Sequence, residues 1–569
     1  SAWYHIMFVS DTTLNTSTDR VKYYVNGVRE TAIESSPLTY PSQNYDYPYN
    51  HTYVHVMGDA YYHVNSGTFR GINGYLAEVH IIDGTAKLPT DFGEFNETTG
   101  QWVPIEYEGD TASYGTNGGY YKFASGALGT DSSGKGNHYT AANLANTDVM
   151  LDTPTNNFPT LNPIFKQSNL TMNQIVLDQG NLRMTNNSYN PTSGATAIAT
   201  MGFDTADSTG YYWEIYVERV GRDDLQWCGI SPAQGAGGNT NTWSFSWDTA
   251  GNVYRYYPSW DGNNQGTITG TSGTGCLISL AVKNNKMWLR MNGTWYGDPA
   301  NNTPSVPESG IPLCVGIPDE YFLPIGVGHA GTFSGSNFGD TILVFNFGQN
   351  GTFDANKTAQ GNSDANGYGN FFYSVPSGFL ALCSKNLPTP TIKKPGDYFN
   401  PVLWTGTGAV DHDITGVGFQ PDLVWIKDRS ANSTDHAIND SVRGAGEFLV
   451  TNNTDQETSY TPGDYFGPFA SDGYRLNDVL VGNQINHSGH SFVGWNWKAG
   501  GGPTVDNSAA AGAVPTAGSV KINGSNFTGN LAGSIAATRI SANTTSAFSI
   551  IKYTGNSTAG ATVAHGLGV

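Results

Sequence analysis

Short runs of alternating apolar and polar residues, each closed by turn residues, recur along the chain. Val21-Lys22-Tyr23-Tyr24-Val25 runs into Asn26-Gly27 and then Val28. Asn-Gly between alternating residues predicts a tight hairpin, because both turn positions need φ > 0. Trp3–Val9 and Gly74–Gly84 read as two further strands. Farther on come Tyr211–Val217, rich in large aromatics, then Cys228-Gly229-Ile230 and Val253–Tyr257. Leu277–Val282 leads through the turn Lys283-Asn284-Asn285-Lys286 into Met287–Met291, which ends in Asn292-Gly293. Ser519–Ile522 is a short strand in a Gly/Ala/Ser-rich stretch, residues 499–546. The pattern predicts an all-β chain of several β-sandwich (jelly-roll or lectin-like) modules in series.

Size and composition sharpen this picture. At 569 residues the chain exceeds what one core can serve, so three or more domains are expected. Charged residues make up only 13%, against about 25% in an average protein, so uncharged polar groups dominate the surface. Glycine accounts for 71 residues, which suits many tight turns. The aromatic share of 12% is enough to fill several cores, which argues against disorder. A net charge of −20 opposes nucleic-acid binding. No apolar run reaches 18 residues, so no membrane-inserting helix is expected. No signal peptide is read at the start, and the absence of an initiator Met suggests a fragment of something longer.

The chain divides into five stretches. Residues 1–125 form a first β-unit and 126–165 an ordered, turn-rich connector with Phe158, Leu161 and Phe165 as anchors. Residues 166–350 form a second β-unit. Residues 351–398 form a connector stiffened near its end by Leu387-Pro388-Thr389-Pro390-Thr391. Residues 399–569 contain an internal repeat: Phe399, Trp404-Thr405-Gly406 and Gly416-Val417-Gly418 return as Phe548, Tyr553-Thr554-Gly555 and Gly566-Leu567-Gly568, 149–150 residues on.

Several of these stretches resemble known families. The "WYHI" strand, the "DRVKYYVNGV" hairpin and the "GYLAEVHIIDG" strand resemble the later strands of the concanavalin/laminin-G-like lectin fold found in phage tail proteins. "DSSGKGN" and "DTPTNNF" are similar to connectors between such modules. "YYWEI", "KMWLRMNGTW", "PIGVG" and "TILVFNFGQ" resemble a SPRY domain, a sandwich that binds partners through loops. "ITGVGFQPDLVWIKDRS", "DSVRGAG" and "FVGWNWKAGG" resemble a domain of uncharacterised function that recurs in bacteriophage tail-fibre proteins. "SANTTSAFSIIKYTGNSTAGATVAHGLG" resembles the second half of that domain, and its next strand should begin at Val569. Together these resemblances imply a tail-fibre segment on the virion, outside the cell. Its implied partners are copies of itself, as a trimer, other tail proteins and host-surface glycan.

Few residues suggest chemistry. Retaining glycosidases need two carboxylates about 5–5.5 Å apart, which a strand supplies at i and i+2 or i+4. Glu94 and Glu97 are three apart and Asp223 and Asp224 adjacent, so a strand would point each pair to opposite faces. Gly134-Lys135-Gly136 lacks the glycine spacing of a P-loop, and no nucleophile elbow is present. His51, His55 and His63 lie in a Tyr-rich stretch, and His487 and His490 form the tightest pair, in a Gly/Ser loop. Surface polar roles fit all five better than metal ligation. No cofactor is expected; a structural calcium ion would fit a lectin-like rim, with no ligands assignable. Cys228, Cys276, Cys314 and Cys383 show no metal-ligand spacing and are expected to be buried free thiols, with a Cys228–Cys276 bridge left open.

Glycan contact is the more natural chemistry. Aromatic faces offer apolar area at low entropic cost, and amides fix hydroxyl orientation. Tyr257, Trp260 and Asn263, beside the end of a predicted strand, are the candidate ligand-binding residues. The expected function is a non-enzymatic tail-fibre segment that supplies reach and attachment. The alternatives are a polysaccharide depolymerase, virion-borne or secreted, and a bacterial extracellular adhesin.

Overall fold

A computed structural model describes residues 3–31, 39–47, 54–58, 72, 74–165, 175–186, 195–220, 226–232, 243–247, 252–256, 260–267, 273–296, 317–318, 320–328, 332–333, 336–337, 340–430, 434–477 and 485–568. Their regular structure consists of β-strands and short 3-10 turns. The chain divides into two compact units, residues 1–95 with 102–388, and residues 96–101 with 389–569.

The first unit opens with a three-stranded antiparallel sheet, Ile6–Ser10, Val21–Val25 and Val28–Glu30. Asn26 and Gly27 have φ of 49° and 78°, as the predicted turn requires. The strand expected over Gly74–Gly84 shrinks to Val79–Ile81, paired with Gly119–Tyr121. Glu78 at φ 52° breaks the extended run, a local conformation that alternation cannot reveal.

The connector after this sheet is held by one buried aspartate. Asp131 accepts hydrogen bonds from the amides of Tyr120, Ser133 and Asn137 at 2.9, 2.8 and 3.0 Å. Burial pushes its carboxyl upward, but these donors outweigh burial and hold it at about 2. The same wording, Asp-x-x-Gly-x-Gly-Asn, recurs at Asp364–Asn370. Asp364 likewise accepts from the amides of Asn366, Tyr368 and Ala381. The glycines match in conformation: Gly134 and Gly136 have φ of 85° and 80°, Gly367 and Gly369 82° and 99°. One buckle therefore closes two places in this unit.

Between the buckles lies a β-sandwich. One sheet, of seven strands, runs in the order Ala195–Ile198, Tyr321–Gly328, Gln226–Pro232, Trp243–Trp247, Asn252–Tyr256, Trp260–Thr267, with Phe203–Asp204 also paired to Tyr321–Gly328. The other runs Thr294–Tyr296, Lys286–Met291, Leu277–Lys283, Gly210–Arg219, Thr341–Asn346, Arg183–Asn186, Ile175–Asp178. Trp213, Ile215, Leu280 and Phe345 from the second sheet share a core with Cys228, Ile230, Phe245 and Phe322 from the first. The turns Asn284-Asn285 and Asn292-Gly293 take the φ > 0 conformation expected of tight hairpins.

Gly210–Val217 is buried at every position, which a one-sided sheet would not require. Tyr212, Trp288 and Trp295 on the outer face are covered by Phe371, Phe379 and Cys383. Phe379–Ala381 also pairs in parallel with Gly210–Tyr212. Burial on both faces is why this strand reads as a near-continuous aromatic run.

The second unit holds a six-stranded sheet, Phe399–Thr405, Ser491–Trp497, Leu423–Asp428, Ala437–Asp440, Glu447–Val450, Thr458–Ser459. A three-stranded sheet, His412–Ile414, Gly473–Leu476, Phe466–Ala470, packs with it around Val424, Phe466, Tyr474 and Phe492. A four-stranded sheet follows, Ser525–Asn526, Val520–Ile522, Ala537–Asn543, Phe548–Tyr553. The repeat is visible in the backbone. Gly416 and Gly418 both have φ of 84°, and Gly566 and Gly568 have 76° and 78°. Phe399 and Phe548, equivalent positions, both pack on Trp497, with ring centroids 4.9 and 6.0 Å away.

Candidate functional site

The three predicted ligand-binding residues lie at one end of a sheet. Trp260–Thr267 is the last strand of the seven-stranded sheet and pairs only with Asn252–Tyr256 among the described residues. Trp260 and Asn263 are in that strand; Tyr257 lies outside the described residues, and of the other two only the backbone is described. Positions 260 and 263 would face opposite sides of a regular pleat. The ladder slips here, however: Tyr256 pairs with Trp260 and Tyr254 with Asn264, so the outer strand carries two extra residues. Such a bulge re-aims side chains, and bulges are common where sheets meet ligands. Alternation along the sequence gave no sign of it.

A buried polar cluster lies on the outer face of the other sheet. Glu214 accepts from the amides of Phe372 (2.8 Å) and Tyr373 (2.9 Å) and from the Tyr212 hydroxyl (2.7 Å). Arg290 donates to the Tyr212 hydroxyl and to Ser279 Oγ. Its guanidinium lies over the rings of Tyr373 and Trp295, 4.4 and 4.7 Å from their centroids. Burial pushes the Glu214 carboxyl up against the pull of its donors, and burial likewise raises the Tyr212 hydroxyl. Glu214, Tyr212 and Ser279 are fully buried and Arg290 nearly so. The carboxylate is committed to holding the segment at 372–373 onto the sheet and has no open face for a substrate.

The remaining sequence candidates do not converge. Glu94 and Glu97 are both exposed, and Asn96 between them caps the turn through the amides of Thr98 and Thr99. Asp223 and Asp224, His51 and His63, and Cys314 lie outside the described residues. The rings of His487 and His490 meet at a tilt of 31°, with centroids 4.0 Å apart. His490 Nδ1 is 2.7 Å from Asp428, which fixes the ring locally. No group of three metal-ligating side chains occurs among the described residues. Cys228, Cys276 and Cys383 are buried free thiols, so the Cys228–Cys276 bridge is not formed.

One cluster had no signal in the sequence. His80 stacks on Tyr120 with centroids 4.2 Å apart, and Phe92, Tyr107 and Tyr114 surround it. Its Nδ1 lies 2.9 Å from the Tyr114 hydroxyl. Burial, then His5 and Lys122, hold the imidazole down at about 4. In the unfolded chain it titrates near 6.5, so unfolding takes up a proton between those values. Stability from His80 is complete above about pH 6.5 and is lost as pH falls toward 4. Thermal unfolding should therefore show a midpoint that drops from pH 7 to pH 4.5, with a smaller drop in His80→Gln.

Residues 394–525 and 516–569 each match a domain of unknown function, DUF7483. No curated protein matches the chain. Among solved structures, the chain is similar to the SPRY domain of human HERC1, at 15% identity over 30% of this chain and 91% of that one, with a TM-score of 0.21. It is also similar to lectin I-B4 of Griffonia simplicifolia, at 13% identity over 33% and 96%, TM-score 0.21. A third is the polysaccharide lyase family 7 alginate lyase AlgAT5, at 9% identity over 32% and 81%, TM-score 0.20. The chain is a series of β-sheet modules, the last stretch of which carries two matches to one uncharacterised family.

Proposed function

We propose that this chain is a non-enzymatic segment of a bacteriophage tail fibre, which grips host-surface glycan through the rim of its sandwich. The observation that carries this reading is the placement of Trp260 and Asn263 on the outermost strand of the seven-stranded sheet, at a bulge. A sheet end leaves room for an extended sugar chain, and Trp, Tyr and Asn have the chemistry to stack on it and orient its hydroxyls. The closure of Glu214 by its own neighbours supports binding over cleavage. The segment acts as a homo-oligomer, a trimer, beside other tail proteins on the virion. Copy number then turns weak single contacts into firm attachment. Tyr4, Ile6, Phe8, Tyr23, Val25 and Val28 share one exposed face of the first sheet, and neighbouring subunits would cover it.

The test is retention of purified bacterial envelope polysaccharide on the immobilised chain, beside Trp260→Ala and Asn263→Ala. Trp260→Ala should weaken retention about tenfold, equivalent to ~1.4 kcal/mol, and Asn263→Ala should also weaken it. Absence of retention by the unaltered chain would leave it a spacer. Equal retention by all three proteins would move the site elsewhere.

A further inference from the structure

The six-stranded sheet of the second unit has two faces of different character. Val402, Trp404, Val424, Phe448 and Phe492 pack into the core. Side chains alternate along each strand, so the residues between them stand on the opposite face. The register lines these up. Pro401 pairs with Trp495, Trp495 with Trp425, Trp425 with Ile438, and Ile438 with Leu449. An apolar row therefore crosses five strands, a span of about 19 Å at the usual strand spacing.

Two indoles form the middle of that row. The rings of Trp425 and Trp495 meet at a tilt of 44°, with centroids 5.1 Å apart. Trp425 Nε1 donates to Thr451 Oγ1 at 3.1 Å, which fixes that ring before any ligand arrives. Neither indole belongs to the core beneath the sheet, and both are half-buried rather than enclosed. Phe399 and Leu403, on the same face, are 38% and 64% exposed.

Cations flank the row on one side. Lys427 follows Trp425 by two residues on the same face, and its ammonium donates to the Asp428 carbonyl at 2.6 Å. Arg429 follows by two more, exposed, with its amide on the Ser491 carbonyl. The carboxylates on this face are matched within the sheet: Asp440 accepts from Arg443, and Glu447 from Ser459. Size and charge choose the occupant. The apolar part is three rows wide at most, about 14 Å. Roughly 300 Å² of sheet falls well short of the ~800 Å² that each partner gives to a standard protein interface. A single sugar chain needs only such a strip. The net charge of −20 does not decide its sign, because screening over about 8 Å at physiological salt leaves a ligand facing the local cations.

We propose that this face is a second glycan site and that its ligand is a polyuronate, with pyranose faces on Trp425 and Trp495 and sugar carboxylates on Lys427 and Arg429. The indoles supply rigid apolar area at low entropic cost. The two cations supply charge-assisted hydrogen bonds and select acidic over neutral chains. The proposal rests on the reading of this chain as a glycan binder, but places the contact in a different module from Trp260 and Asn263.

The probe is polygalacturonate, offered at physiological salt to the immobilised full chain carrying Trp260→Ala, so that the rim of the sandwich is silent. Retention is expected, and carboxyl-reduced polygalacturonate should be held about tenfold more weakly. Adding Trp425→Ala should weaken retention of the acidic polymer about tenfold. Lys427→Gln with Arg429→Gln should do the same, and this pair leaves the indoles and the core beneath them in place. No retention by the Trp260→Ala chain would overturn the proposal. So would equal retention of the two polymers, or retention that survives either set of substitutions. The reading of the rim fails separately, when envelope polysaccharide is held equally by the Trp260→Ala and unaltered chains.

Discussion

Replacing Glu214 with alanine is expected to lower the stability of the sandwich by roughly 3–5 kcal/mol, the usual cost of stripping one partner from a buried charged network. Two backbone amides, the Tyr212 hydroxyl and, through it, Arg290 all depend on this carboxylate. No water reaches the site to replace it, since Glu214, Tyr212 and Ser279 are fully buried. Arg290 would keep its stacking on Trp295 and Tyr373 but lose the bridge to negative charge. Tyr212→Phe should cost less, about 1–3 kcal/mol, because it removes one hydroxyl from between two groups that keep other partners. Denaturant unfolding of the intact chain, followed through tryptophan emission, measures both. Near-equal stability of Glu214→Ala and the unaltered protein would mean that the segment around Phe372 is held by apolar contact alone.

The second large effect is expected at Asp422. Its side chain accepts from the amides of Ala499 (2.8 Å) and Gly501 (3.1 Å) and from Ser441 Oγ (2.7 Å). Between those amides, the Gly500 amide donates to Ser541 Oγ at 2.8 Å. The short link Ala499–Gly501 is therefore pinned from the first copy by Asp422 and from the second by Ser541. Asp422→Ala leaves buried donors unmet, at about 2–4 kcal/mol in total. Its signature is regional: hydrogen exchange should accelerate first in Ala537–Tyr553, while the Leu423–Asp428 strand keeps its protection. Asp422→Asn keeps one acceptor oxygen and should fall between the two.

Local geometry was legible in the residues, and distant convergence was not. Asn26-Gly27, Asn284-Asn285 and Asn292-Gly293 each announce a turn, because few other residues take φ > 0. The repeat was legible from a handful of aromatics and glycines, because those glycines stand where the backbone needs them. The aromatic enclosure of His80 draws on Phe92, Tyr107, Tyr114 and Tyr120, which no short window connects. Gly74–Gly84 was read too long because alternation cannot register Glu78 at positive φ. For the candidate site, composition pointed to Tyr257, Trp260 and Asn263. The slip between Tyr256↔Trp260 and Tyr254↔Asn264, which decides how that strand presents its residues, required the ladder itself.

The idea that this chain holds a polysaccharide without cutting it is tested most directly by sizing the retained sugar. Envelope polysaccharide captured on the immobilised chain, kept there for hours and then eluted, should return with an unchanged length distribution and no new reducing ends. Shortened chains in the eluate, in proportion to contact time, would contradict the account.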